Sequence, residues 1–186
     1  MVSIIDFGVF RNVRKLARLW LIAACFGLLV SSPFLSFAWG SFPCEDVNNN
    51  GVCEPEVDND ITSELKQNGF YFTSESIVIP GNMKGLLSYK GDLSLFADKL
   101  ITINGRIRAG SLDVSAGQQV ILGPSASVYV TEGPMYLWSW DGAVALNGAR
   151  IFARDSIDIT ALGQEVTVLP DSQLITNNGR ISIFAG

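Results

Sequence analysis

The chain has 186 residues with 13 Lys and Arg, 18 Asp and Glu, and no histidine. Without histidine there is no usual proton shuttle, no commonest zinc ligand, and no Ser-His or Cys-His nucleophile. The acidic balance argues against a nucleic-acid partner, which requires a basic field.

In chain order, Arg11, Arg14, Lys15 and Arg18 form a positive segment before the apolar run "LWLIAACFGLLVSSPFLSFAWG" (19–40). Ala38 and Gly40 are small residues placed where a signal peptidase cuts, so residues 1–40 are expected to be an export signal. The stretch from Leu19 to Trp39 is also long enough to span a bilayer, which leaves a retained anchor as the alternative. "IAAC" (22–25) resembles a lipidation motif, but the run stays apolar after Cys25, so that cysteine reads as an ordinary residue of the signal. Either way the remainder is expected outside the cytoplasm, at the periplasm, outer surface or beyond. Membrane contact would be confined to an uncleaved N-terminal segment. Removing residues 1–40 leaves 9 basic and 17 acidic residues.

Residues 41–61 hold the acidic stretch "CEDVNNNGVCEPEVDND" (44–60). Cys44 and Cys53 are the two cysteines left after cleavage, and in an exported chain they read as one disulfide. Closing so short a loop contributes roughly 2–3 kcal/mol in the chain-entropy account. Asp46, Asn48 and Asn50 place oxygen donors at alternate positions, and Gly51 makes the tight turn that lets Val52 offer its carbonyl. "DVNNNG" (46–51) resembles the calcium loops of EF-hand and dockerin modules, which implies calcium as the cofactor. Where that pattern expects a twelfth-position carboxylate this chain has Val57; Asp58 follows, and Glu54, Glu56 and Asp60 are near. The competing reading is a solvated acidic linker. A single loop would bind calcium weakly, as extracellular modules do, and would stiffen the junction rather than catalyse.

Residues 62–69, "TSELKQNG", read as a short helical cap started by Thr62 or Ser63 and stopped by Gly69, placed to cover the first solenoid turn. From residue 70 to 186 the helical period gives way to short alternating strands. "LSLFA" (93–97), "LDVSA" (112–116), "MYLWS" (135–139), "IDITA" (157–161) and "ISIFA" (181–185) recur at spacings of 19, 23, 22 and 24. Two further series follow. One is "ITI" (101–103), "VIL" (120–122), "VAL" (144–146) and "VTV" (166–168); the other is "RIRA" (106–109), "SVYV" (127–130), "RIFA" (150–153) and "QLIT" (173–176). "FYF" (70–72), "SIVI" (76–79) and "GLLSY" (85–89) supply an earlier, less regular turn. Three strands per block of about 22 residues predict an all-β, right-handed parallel β-helix of about five turns, each unable to bury its apolar face alone. Asn-Gly pairs at 104–105, 147–148 and 178–179 are expected to take left-handed backbone at the corners.

"LDVSAGQQVILGPSASVYV" (112–130) resembles the β-helical repeats of secreted bacterial surface proteins of the filamentous-haemagglutinin and adhesin type. That resemblance implies the fold and a secretory setting; it assigns no functional residue. In "MYLWSWDG" (135–142) the alternation puts Tyr136, Trp138 and Trp140 on the outer face. There they either stack on sugar rings or a surface protein, or fold back against a neighbouring loop. Asp113, Asp155 and Asp158 are the nearest candidates for an acid pair, and they read as solvated corner carboxylates. Arg106, Arg108, Arg150 and Arg154 point outward and are expected to pair with nearby carboxylates. The sequence closes on "RISIFAG" (180–186), the first strand of a sixth turn, which would pair with another copy or continue into a longer chain. The expected function is a non-enzymatic, secreted or cell-surface structural or adhesin-like module. The alternative is a calcium-assisted carbohydrate-binding module using Tyr136, Trp138 and Trp140.

Overall fold

Alternation along each strand determines which side chains meet, because successive residues point to opposite faces. In the computed structural model, which describes residues 42–83 and 87–186, the apolar positions of every repeat turn inward. The proposed signal or anchor, residues 1–40, lies outside the described residues, as do three residues, 84–86, around the start of "GLLSY". No helix among the described residues is long and apolar enough to cross a membrane.

The strands form three parallel sheets wound as a solenoid of five turns. The first turn comprises β3 (Phe70–Thr73), β4 (Ser76–Ile79) and β5 (Leu87–Ser88). It is followed by β6 (Asp92–Ala97), β7 (Leu100–Ile103) and β8 (Arg106–Ala109), then by β9 (Ser111–Ala116), β10 (Gln119–Leu122) and β11 (Ser127–Val130). The fourth turn is β12 (Met135–Ser139), β13 (Val144–Leu146) and β14 (Arg150–Ala153). The fifth is β15 (Ile157–Ala161), β16 (Val166–Val168) and β17 (Gln173–Thr176), and β18 (Ile181–Ala185) begins another. Each strand pairs with its equivalents one turn away, so β4-β7-β10-β13-β16 make sheet A, β3-β6-β9-β12-β15-β18 sheet B, and β5-β8-β11-β14-β17 sheet C.

Register turns the repeats into ladders. Leu93, Leu112, Met135, Ile157 and Ile181 are stacked partners, as are Leu95, Val114, Leu137, Ile159 and Ile183. Rungs lie about 4.8 Å apart, so each aliphatic side chain packs on its equivalents above and below. A third inward column is small: Thr73, Ala97, Ala116, Ser139, Ala161 and Ala185. It lies at the bend from sheet B to sheet A, where larger side chains would force the strands apart. Ser139 is fully buried and satisfied, its hydroxyl donating to the Gln118 carbonyl at 3.0 Å and accepting the Gly142 N–H at 3.2 Å.

The Asn-Gly corners depart from expectation. Of the three glycines only Gly148 has a positive φ, 77°. At Gly105 and Gly179 the requirement is space instead: a Cβ would lie 2.7 Å from the Pro80 carbonyl oxygen and 1.9 Å from that of Asp155. The rungs approach too closely at those corners for any side chain.

The N-terminal end is closed. The helix α1 (Thr62–Asn68) places Leu65 and the preceding Ile61 into the core, both at most 1% exposed. Its N-cap is Ile61, not Thr62 or Ser63, and no side chain caps it; Asp60 Oδ1 instead accepts the Thr62 N–H at 2.8 Å. Gly69 ends the helix in left-handed geometry, φ 66°, with its N–H donating to the Leu65 carbonyl. Alongside, β1 (Cys44–Asp46) adds itself antiparallel to the free edge of β4, and β2 (Asn59–Asp60) pairs with β1.

Candidate functional site

The acidic stretch folds as a collar on sheet A. Cys44 and Cys53 form a disulfide with Cα atoms 5.7 Å apart, buried against Val78 and Phe42. It ties the start of β1 to the far side of the loop. Reduction, or Cys44→Ala with Cys53→Ala, is expected to lower unfolding free energy by about 2–3 kcal/mol. Denaturant melts with and without reductant measure this, and coincident curves would remove the brace.

Inside the loop the predicted ligand side chains turn oxygen atoms toward backbone N–H groups. Asp46, fully buried, accepts the Gly51 N–H at 2.7 Å and the Asn50 N–H at 3.2 Å. Asn48 Oδ1 accepts the Asn50 N–H and Asn50 Oδ1 the Val52 N–H, at 3.0 and 2.9 Å. Gly51 has a φ of 79° and Asn49 of 57°, so two left-handed residues curl the chain around Asp46. Val57 points out, 51% exposed, whereas Asp58 is buried and turned back to accept the Val47 and Glu54 N–H groups at 3.0 and 2.7 Å. Burial pushes the Asp46 carboxyl above its ordinary range; amide hydrogen bonds oppose this, and the neighbouring Asp58 charge adds to it.

The donor chemistry suits a hard cation. Asp46, Asn48, Asn50, Asp58 and the Val52 carbonyl are all oxygen donors, and a side-chain oxygen that accepts one N–H keeps a second lone pair. Among the described residues no three His, Cys, Asp or Glu side chains cluster as a metal centre, so any cation here would depend on amide oxygens as well as carboxylates.

The second set of predicted residues lies on the outer face of sheet B. Tyr136 and Trp138 point outward from β12, 37% exposed and half-buried respectively. Trp140, just past the strand, folds back: its indole N–H donates to Ser115 Oγ at 3.0 Å, yet it stays 54% exposed. The outward alternation is present, and Trp140 in addition folds back onto the neighbouring turn. Trp138 and Trp140 lie 5.9 Å apart, tilted by 39°. Register extends the surface beyond Tyr136, Trp138 and Trp140. Phe72, Phe96, Ser115 and Trp138 are stacked partners, with Trp140 over the Ser115 rung and Phe70 5.7 Å from Phe96. The outcome is an aromatic strip spanning four rungs, roughly 14 Å along the axis at about 4.8 Å per rung. Its signal was present in the outward positions of "FYF" and "LSLFA", which match that of Trp138.

Of the acids, Asp113 and Asp158 share an outward column but are separated by Tyr136, their partner in both registers. Asp155 is exposed on a corner. Asp158 faces Arg180 at 3.9 Å and accepts from Ser156. Burial pushes the Asp113 carboxyl up, so the folded state holds that proton more tightly than the unfolded chain does. The resulting stabilisation is present at low pH and lost as pH rises through the raised pKa. Asp113→Asn is expected to raise the melting temperature at pH 7 and to leave it unchanged at pH 3. Equal effects at both pH values would exclude burial of the charge as the cause.

The arginines contradict the expectation of carboxylate pairing. The ion pairs among the described residues are Lys99–Glu75 and Arg180–Asp158, and neither uses Arg106, Arg108, Arg150 or Arg154. Arg108 instead lies over the Tyr129 ring, 5.7 Å from its centroid.

No protein-family model matches the chain, and neither a curated protein nor a solved structure matches it.

Proposed function

We propose that this chain is an exported, non-catalytic β-solenoid that works as an adhesin-like recognition module at a cell surface. The observation that carries this reading is the aromatic strip on sheet B, where Phe72, Phe96, Trp140 and Trp138 follow one another rung by rung. Exposed contiguous aromatics on a rigid sheet are a recognition surface, since a fold gains little by leaving such area in water. The disulfide suits an oxidising compartment. The separation of Asp113 from Asp158 by Tyr136, in a chain without histidine, offers no ready acid–base pair.

A second reading, the calcium-assisted carbohydrate-binding module, is favoured by the inward turn of Asp58 beside Asp46. Calcium would be held by Asp46, Asn48, Asn50, the Val52 carbonyl and Asp58, and would neutralise two buried carboxylates. The collar joins the first turn through sheet A, whereas Trp138 lies on sheet B three rungs on, so a cation there braces the solenoid without touching a glycan. A glycan array separates the two readings. Binding is expected to vanish with Trp138→Ala plus Trp140→Ala; loss in chelator would favour the second reading, and binding of no glycan would sink it. Calorimetric titration with calcium gives the loop its own test, and absence of heat at millimolar metal, disulfide intact, means a linker. Release of reducing ends from a polysaccharide panel would overturn the non-catalytic assignment.

A further inference from the structure

The outward positions of sheet C have a chemistry unlike the rest of this acidic chain. Its five strands, "LS", "RIRA", "SVYV", "RIFA" and "QLIT", contain three arginines and no Asp or Glu. Ile107, Val128 and Ile151 take the inward positions, so Arg106, Arg108 and Arg150 stand outward and exposed, and Arg154 follows just past β14. Register puts Ser127 between Arg106 and Arg150 in one column, and Arg108, Tyr129 and Phe152 in the next. Tyr129 is stacked on Phe152 at 4.7 Å, is approached by Arg108, and is still 45% exposed. A cleft of about 420 Å³ at one margin contains Lys90 and Arg108 with Glu132; another, of about 650 Å³ at the opposite margin, contains Arg150 beside Asp171. Like charges gathered on one face repel, and none of these arginines forms an ion pair with a carboxylate among the described residues.

We propose that the outer face of sheet C is a docking surface for an acidic polysaccharide bearing carboxylates on its sugar rings. Guanidinium forks match carboxylates bidentately, which a lysine face would not do. Tyr129 has Phe152 against one face and Arg108 over the other, so the stack presents its exposed edge, with the Tyr129 hydroxyl, beside the charged column. Arg106 and Arg150 are two rungs apart, about 10 Å, so a chain lying along the axis meets a charge, then the Ser127 hydroxyl, then a charge, with Tyr129 and Phe152 alongside in the next column. Strands of four residues give a face about 13 Å wide, enough for a single glycan strand. A duplex would overhang it onto sheet B, where Asp92, Asp113 and Asp158 repel phosphate.

The test is equilibrium binding of the purified protein, disulfide intact, to polygalacturonate, with a neutral glucan and duplex DNA in parallel. Polygalacturonate is expected to bind and to weaken as salt rises. Arg106→Gln with Arg150→Gln should reduce affinity at least about tenfold. Arg106→Lys with Arg150→Lys, which keeps the charge but loses the fork, should fall between. Trp138→Ala with Trp140→Ala should leave this binding unchanged, which separates it from the sheet B reading. Absence of polygalacturonate binding, equal binding of DNA, or indifference to the arginine substitutions in a variant with an unaltered melting curve would each overturn the assignment. So would concentration-dependent dimerisation lost in the same variants without polyanion binding, which would make a second copy the occupant.

Discussion

Gly142→Ala is expected to cost about 3 kcal/mol or more, lowering the melting temperature by roughly 10 °C. A Cβ at Gly142 would lie 1.4 Å from the carbonyl oxygen of Gln118, on the adjacent turn. That atom is backbone and cannot swing away. Gln118 is also where Ser139 donates its hydroxyl, and Ser139 in turn accepts the Gly142 N–H. Relieving the overlap therefore moves the fourth turn off the third and breaks two hydrogen bonds together, one buried and one partly buried. Gly148→Ala is the control: a Cβ there meets nothing nearer than 3.6 Å, so its cost is the left-handed backbone alone, about 1 kcal/mol. Thermal melts of both variants measure the difference, and equal losses would refute the steric account.

The second large effect is a gradient along one ladder. Leu137→Ala should destabilise by about 3–4 kcal/mol, because Leu137 is fully buried between Val114 and Ile159 and leaves a cavity. Ile183→Ala, in the same column, should cost less than about 1 kcal/mol, since Ile183 is 51% exposed with a neighbour on one side only. In a solenoid each turn contacts only its neighbours, so stability adds turn by turn and end rungs are cheap to alter. Denaturant unfolding of the two variants would reveal the gradient. Equal losses at both positions would mean that the last rung is covered in solution.

The ladders were legible because burial of one strand face imposes a period of two within strands and of about 22 between them. Leu93, Leu112, Met135 and Ile157 carry that signal in plain sequence. The strand at Cys44–Asp46 was not legible: "CED" has no alternation, and it is extended only because the edge of β4 offers it hydrogen bonds. The return of Trp140 to Ser115 depends on a corner conformation that no local pattern encodes. Gly105 and Gly179 were recognised as corner glycines, but the reason, contact with backbone on the neighbouring turn, is long-range and absent from the pair "NG" itself. The failure of the arginines to pair is long-range too, since it depends on which faces the acids occupy.

The antiparallel β1 gives the molecule a direction. Parallel turns could in principle accept further turns at either end, yet here β1 and β2 occupy the sheet A edge at one end while α1 fills the core beneath. The sheet A edge they leave at that end is β2, two exposed residues that include Asp60, a poor template for another strand. The disulfide that holds β1 in place thereby guards that edge.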